Sequence, residues 1–138
     1  MTQVVQETEP QVTGPSGDQE SDEPFFILYL FGREYQEELE RLTTWVNNLL
    51  IPVYGREVTS SSPWCPDWAL HQEAVAQFHG LWLAWQDNTG PKAPMSGPAQ
   101  WHRDFLGPVM QSLRDPSGPF AGCRRGSHRE KEVPFVND

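Results

Sequence analysis

Apolar residues recur at helical spacing in three stretches of this 138-residue chain. In the first stretch the steps alternate between four and three residues, which places the apolar side chains on one face of a helix. The members of this stripe are Tyr35, Leu39, Leu42, Val46, Leu49 and Val53, with Trp45 beside them. The stripe is too short for a free-standing coiled coil and favours a helix that faces a core. Pro52 predicts that the helix ends or kinks nearby, and Glu37 with Arg41 predicts an ion pair on its solvent side.

The second stretch, residues 64–85, predicts the central helix of the fold and reads WCPDWALHQEAVAQFHGLWLAW. Pro66 suits a first helical turn, where its missing N–H would have no partner anyway, so a Cys-Pro turn is expected to open the helix. The core face at steps of four and three consists of His71, Val75, Phe78, Trp82 and Trp85. Residues 81–85 are apolar almost all round, which is typical of a helix that is central or covered by a partner.

A third helix is predicted at about residues 99–113, where Trp101, Phe105, Val109 and Leu113 recur in steps of four. Gly107-Pro108 predicts a kink or a break within it. The Gly/Pro-rich residues 91–98 predict a mobile loop before it. The apolar run at residues 25–31 is either a short strand or a buried segment that leads into the first helix. His79 is predicted to be a core or boundary histidine, and His102 to face solvent.

The charge and composition divide the chain into three parts. Residues 1–24 contain no aromatic residue and show no periodicity, which predicts a disordered acidic arm. This arm holds six carboxylates and no lysine or arginine, so it accounts for six of the nine net negative charges. We therefore expect one small, mainly α domain of three helices over residues 25–128 and a flexible tail over residues 129–138. An additional link would help such a domain, because a short chain buries a small share of its surface.

The same composition argues against several classes of protein. The apolar run at residues 25–31 is too short to span a bilayer, and it follows an acidic arm where a signal peptide has a basic segment. A cytoplasmic location is therefore expected. Direct nucleic-acid binding is disfavoured because the chain has no basic stripe. The sequence also lacks a glycine-rich phosphate loop, an HExxH motif and a nucleophile elbow. Its basic cluster consists of Arg124, Arg125, Arg129 and Lys131.

Two cysteine–histidine couples stand far apart in the sequence: Cys65 with His71, and Cys123 with His128. In a cytosolic chain, two cysteines favour thiols or metal ligands over a disulfide. Together the four residues make the Cys₂His₂ set that zinc takes in closed structural sites. A zinc ion would tie the start of the central helix to the C-terminal segment. The alternatives are a core-facing histidine, buried inert thiols, a loose tail that carries the last histidine, or a cysteine–histidine nucleophile pair.

The order of motifs over residues 45–128 resembles a family of small actinobacterial proteins of unknown function. These motifs are Trp-Cys-x-x-Trp, a histidine, Leu-Trp-x-Ala-Trp, Gly-Pro-Phe, a cysteine and a downstream histidine. Members are common on plasmids, phages and integrated conjugative elements. The resemblance implies a zinc clip made by the two cysteine–histidine couples, but it implies no activity. Many members have a histidine and an Asp-Pro-His segment where this chain has Phe105 and Gly107-Pro108-Val109, which counts against an enzyme.

These observations give one leading hypothesis and two alternatives. The leading hypothesis is a zinc-stabilised, non-enzymatic accessory protein of a mobile genetic element that acts through protein–protein contacts. Its predicted partner-binding residues are Trp82, Leu83 and Trp85, because tryptophans are typical interface anchors, although most of them also suit a core. The first alternative is a metal-dependent or thiol hydrolase, which needs an open coordination position or a cysteine with a lowered pKa. The second is a nucleic-acid-associated regulator that uses the basic cluster.

Overall fold

Three helices make up most of the computed structural model, which describes residues 25–137. Helix α1 spans residues 32–54 and consists of an α-helical segment, a π-helical segment and a final α-helical turn: Gly32–Trp45, Val46–Leu50 and Ile51–Tyr54. Helix α2 is Gln72–Thr89. Helix α3 spans residues 97–113 and has the same order of segments: Gly97–Trp101, the π-helical His102–Leu106, and Gly107–Leu113.

The predicted fold class, a mainly α domain with three helices, is confirmed. Between residues 25 and 137 the backbone forms no β-strand, only the two isolated bridges Thr59–Ser62 and Arg124–Ser127. The predicted acidic arm at residues 1–24 lies outside the part of the chain that the structure describes. No helix within the described part combines the length and hydropathy that a membrane crossing requires.

The core lies where the three helices meet, and tryptophans fill much of it. Trp45 of α1 packs against Trp82 and Trp85 of α2, with ring centroids 6.4 and 5.7 Å apart. It also meets Trp101 of α3 edge to face at 6.4 Å. Trp101 is fully buried, and its Nε1–H donates to the carbonyl oxygen of Leu81 at 3.2 Å. Because large aromatic rings dominate the energetics of a small core, this cluster holds the three helices together.

Both helices that contain an internal proline place a π-helical segment just before it. Pro52 and Pro108 each stand second in the α-helical segment that follows. A proline inside a regular helix removes a hydrogen bond and clashes with the carbonyl group four residues earlier. The i→i+5 bonding of a π segment widens the preceding turn, so the backbone continues past the ring. The predicted end near Pro52 is confirmed, since α1 stops at Tyr54, whereas α3 continues through Gly107 without a break.

The π segment of α3 changes which residues face the core. Phe105, predicted to lie on the apolar stripe, is 39% exposed, and Leu106 packs against the core instead. The prediction was wrong because it assumed a step of four after Trp101. The π segment puts five residues into that turn, so the next inward position is Leu106.

Helix α2 begins later than the Cys-Pro motif predicts. Residues Trp68–Leu70 form a 3₁₀ turn, and His71 has an extended backbone (φ −99°, ψ 110°) just before the α-helix starts. The predicted helical start at Pro66 is therefore wrong. A continued helix would carry Trp68 away along its axis at 1.5 Å per residue. The turn instead folds Trp68 back onto Phe78, with ring centroids 5.2 Å apart and the indole 3% exposed.

The apolar run at residues 25–31 forms neither a strand nor a fully buried segment. Ile27–Tyr29 is a 3₁₀ turn, in which Ile27 alone is buried. Leu28, Tyr29 and Phe31 are exposed, as is Phe25. A single 3₁₀ turn packed on one side of a helix buries one residue in three, because side chains three apart lie above one another. This run therefore leaves large apolar side chains at the surface.

Candidate metal centre

Two cysteines and two histidines from distant parts of the chain form a cluster that could bind a metal ion. The four are Cys65, His71, Cys123 and His128, and their ligand atoms all lie within 4.8 Å of one another. Cys65 Sγ is 3.3 Å from His128 Nδ1, and Cys123 Sγ is 3.5 Å from His71 Nε2. In tetrahedral zinc sites, Zn–S and Zn–N bond lengths put a sulfur and a nitrogen ligand about 3.6 Å apart. Each cysteine thus meets the histidine of the other couple at a distance that fits joint coordination.

Local turns bring each couple together. The 3₁₀ turn before α2 places Cys65 back beside His71, the residue that precedes the first turn of α2. After α3, Arg124 and Ser127 exchange two backbone hydrogen bonds of 2.9 Å, which reverses the chain between Cys123 and His128. Gly126 adopts a positive φ of 74° within this reversal, a conformation that glycine adopts without strain.

Outer contacts orient two of the four side chains. Glu130 Oε2 lies 3.4 Å from His128 Nε2, the ring nitrogen opposite the one that faces the cluster. The backbone N–H of Arg129 donates to Cys123 Sγ at 3.4 Å. Carboxylates that fix a ligating histidine, and N–H groups near the site, are common outer partners of protein metal ions. The C-terminal segment is held further by Lys131, whose ammonium donates to the carbonyl oxygens of Gly118, Pro119 and Ala121.

Burial shapes the protonation of the cluster. Burial, reinforced by the neighbouring Cys123 thiol, raises the pKa of Cys65 to about 11. Burial also lowers the pKa of His71, as do the nearby charges of His128 and Lys131. Neutral imidazole is the form that binds metals. A thiolate at Cys65 needs a neighbouring positive charge. A coordinated cation would supply that charge, and the thiol would then lose its proton.

The predicted partner-binding residues take two positions on α2. Trp82, Leu83 and Trp85 are all half-buried. Trp82 and Leu83 line a groove on the side of α1 and α2, together with Phe25 and Leu30. Trp85 lies outside the residues that line this groove and packs against Trp45.

The prediction that His79 is a core or boundary histidine is confirmed, since its side chain is fully buried. Its Nδ1 accepts a hydrogen bond from the backbone N–H of Ile27 at 3.3 Å, and its Nε2 lies 2.7 Å from Glu38 Oε2.

Glu38 also pairs with Arg41, with an N–O distance of 2.8 Å. The ion pair predicted between Glu37 and Arg41 is therefore wrong, because Glu38 is drawn towards α2 and reaches Arg41 at i,i+3. The sequence alone did not predict that Glu38 pairs with His79 and Arg41. The position of Glu38 next to Leu39, a member of the apolar stripe, indicated that it lies near the core.

His102 is exposed, as predicted, but both of its ring nitrogens are used. Nδ1 lies 2.6 Å from the carbonyl oxygen of Pro98, and Nε2 lies 2.8 Å from the hydroxyl of Tyr54. Because a carbonyl oxygen can only accept, Nδ1 carries the proton and Nε2 accepts from the tyrosine. This pair joins the end of α1 to α3. Sequence reasoning also missed Arg114, whose side chain is buried beside the same two helices.

Comparison with known proteins places the chain in a family. A family described as a domain of unknown function (DUF4913) matches residues 39–137. The chain belongs to the DUF4913 family. The matched range begins in α1 and includes all four residues of the metal cluster. No curated protein and no solved structure matches the chain.

The prediction of a family of unknown function is thus confirmed, and the DUF4913 description adds no activity to it. The actinobacterial plasmid and phage origin goes beyond that description.

Proposed function

We propose that this DUF4913 protein is a zinc-stabilised accessory protein of a mobile genetic element, located in the cytoplasm, that acts by binding another protein. The observation that carries this proposal is the cluster of four side chains that could together supply all the ligands of one metal ion, two sulfurs and two nitrogens. A site in which the chain itself supplies all four ligands is typical of structural zinc, whereas catalytic zinc keeps one position for water or substrate. The mobile-element origin rests on the motif resemblance over residues 45–128.

Zinc suits this donor set better than the other common divalent ions. Two thiolates and two imidazoles at tetrahedral spacing favour zinc over magnesium or calcium, which prefer oxygen ligands. The ion would connect the start of α2 to the segment after α3. Coordination energies in small zinc domains are on the order of 10 kcal/mol, and much of that energy becomes folding free energy.

The groove on α1 and α2 supports a protein partner of defined chemistry. Its apolar lining residues are Phe25, Leu30, Trp82 and Leu83. Its charged lining residues are three glutamates and one arginine, Glu34, Glu37, Glu38 and Arg41, and Arg41 pairs with Glu38. The acidic residues Asp22 and Glu23 stand three and two positions before Phe25 in the sequence. A groove whose lining is partly apolar and net acidic fits a cationic amphipathic segment, because complementary charge steers association and fixes register.

The two alternative functions find less support. A thiol hydrolase needs a cysteine with a lowered pKa, whereas the pKa of Cys65 is raised. A nucleic-acid-binding role needs free cations. In the basic cluster, Lys131 donates to three backbone carbonyl oxygens, and Arg129 lies 3.5 Å from the carbonyl oxygen of Ala121. The exposed Arg124 and Arg125 remain, and two cations are few against the roughly six to ten phosphate contacts of typical DNA-binding proteins.

The metal content of the purified protein tests the zinc centre. We expect about one zinc per chain by elemental analysis and far less in Cys65→Ser, which removes one ligand. The control is His102→Gln, which removes a histidine outside the cluster and should keep the zinc. Substitution of Co²⁺ into the wild-type protein should give the charge-transfer and ligand-field bands of a tetrahedral thiolate site. A wild-type protein that takes up neither ion would refute the metal centre, even if the variant fails to fold.

A pull-down from the native host tests the partner. We expect the wild-type protein to retain a specific protein that bears a basic amphipathic segment, and Glu37→Lys to release it. Reversing the charge of the exposed Glu37 places like charges together, which slows association and lowers the affinity without touching the core. Glu132→Lys is the matched control, because Glu132 is exposed in the C-terminal segment. Recovery of no specific protein, or equal loss with both variants, would contradict this function.

A further inference from the structure

Arg114 is a buried cation whose charge has no ionic partner within residues 25–137. Arg114 is the residue that directly follows α3, and it is 6% exposed. Nε and Nη2 donate to the carbonyl oxygens of Pro63, Glu57 and Ser62 at 3.0–3.2 Å. The ion pairs found in the described part do not include Arg114, and its Nη1 makes no hydrogen bond there. Burial of a charge without a countercharge is costly.

Arg114 lines a cavity of about 700 Å³. This cavity, called the arginine cavity below, lies between the end of α1, the loop that follows it and α3. A second cation, Arg56, lines the same cavity. Burial lowers the pKa of Arg114, and the charge of Arg56 lowers it further, so the two guanidinium groups repel each other. An anion between them would relieve this repulsion and supply the missing countercharge.

The rest of the lining favours an oxyanion attached to a small molecule. Ser61 and Ser62 bring hydroxyl groups, while Tyr54, Leu106 and Met110 provide an apolar wall. One carboxylate, Asp115, also lines the cavity, so its lining includes two arginines against one acid. Asp115 Oδ1 already accepts from the backbone N–H and the hydroxyl of Ser117, at 2.8 and 2.7 Å. A volume of this size is typical of small-molecule sites.

We propose that the arginine cavity binds a phosphate group, either free or carried by a small molecule. Planar guanidinium groups donate paired hydrogen bonds that match the oxygens of phosphate, and the serine hydroxyls add donors. A purely structural role for Arg114, as a clamp of the loop at residues 57–63, accounts for its three carbonyl contacts. It does not account for the second arginine on the same cavity.

The test is a titration of the purified 138-residue protein, as isolated, with inorganic phosphate and, separately, with adenosine monophosphate. Binding is measured by calorimetry and by thermal unfolding at constant ionic strength, and the zinc content is checked after each titration. We expect saturable binding and a raised unfolding temperature, since a ligand that binds the folded state stabilises it. Tighter binding of the nucleotide would show that the apolar wall contributes, and equal binding would identify the free anion as sufficient.

Arg56→Gln is the decisive variant, because Arg56 is exposed and its removal leaves the Arg114 clamp intact. We expect its affinity for phosphate to fall about tenfold, the loss of one charge-assisted contact. Arg33→Gln is the matched control: it removes the same charge at the other end of α1, on the order of 30 Å away, and should bind as wild type. No binding by wild type, or equal weakening in both variants, would overturn the proposal. So would tighter binding of a single-stranded oligonucleotide than of either small probe.

Discussion

At the scale of single residues, Glu38 connects α1 to α2 through its two carboxylate oxygens. One carboxylate oxygen meets His79 of α2, and the other accepts two hydrogen bonds from Arg41. Through His79 it is also linked to the backbone of Ile27. Burial acts to raise the pKa of Glu38, but hydrogen bonds from His79 and Arg41 outweigh burial and hold this pKa below its usual value of 4.5.

This lowered pKa predicts a specific loss of stability in acid. A carboxyl group whose pKa is lower in the folded state stabilises the fold above the unfolded pKa, here 4.5. That contribution disappears as the pH falls through the folded pKa. We expect Glu38→Gln to lower the free energy of unfolding by about 1–3 kcal/mol at neutral pH. The deficit should shrink steadily below pH 4.5, as measured by urea unfolding.

Glu37→Gln is the control for that series, because Glu37 is a solvent-exposed neighbour on the same helix. Acid also releases metal from cysteine and histidine ligands, so the informative quantity is the difference between each variant and the wild type at the same pH. A deficit that is independent of pH, or one that Glu37→Gln shares, would mean that the Glu38 carboxylate is not the titrating group.

At the scale of elements, the sequence predicts the helices well and their details less well. The stripes of α1 and α2 are visible because burial of one face is the strongest signal that a helix leaves in a sequence. The π segments are not visible in that way, and the inward position therefore shifts from Phe105 to Leu106. The start of α2 is also misread, because packing of Trp68 on Phe78 overrides the helical preference of the Cys-Pro-Asp segment.

The metal cluster and the arginine cavity also differ in how far the sequence predicts them. The metal cluster could be predicted because cysteine and histidine have few other reasons to occur together, and a family resemblance supports the set. Its contacts cross between the couples, from Cys65 to His128 and from Cys123 to His71, which no spacing in the sequence indicates. The arginine cavity gives no sequence signal, because Arg114 binds backbone carbonyl oxygens, and every residue type has those.

At the scale of the whole molecule, the cluster of two cysteines and two histidines connects the start of α2 to the segment after α3. We predict that a chelator increases amide hydrogen exchange most strongly at residues 63–71 and 118–131, by about tenfold or more. Exchange in the middle of α1 should rise less, because the tryptophan cluster around Trp45 holds it independently of the metal. Mass spectrometry of peptides after exchange measures both regions in one experiment.

Cys65→Ser provides the control for the chelator, since a protein that already lacks the ion should show no further change. An equal rise in α1 would mean that the ion holds the entire fold and not one junction. An unchanged exchange pattern in the wild-type protein would mean that these four side chains contribute to the fold without a metal.

The distance along the chain between the clustered side chains has a kinetic consequence. One contact joins two residues that are 52 positions apart in the sequence, and the other joins two that are 63 positions apart. Loops of this length close late in folding, because the entropy of closure is lost before the contacts form. An interaction that is absent from the transition state changes the unfolding rate and leaves the folding rate almost unaltered. The ion would therefore govern the lifetime of each folded molecule, and hardly the speed at which the chain reaches that state.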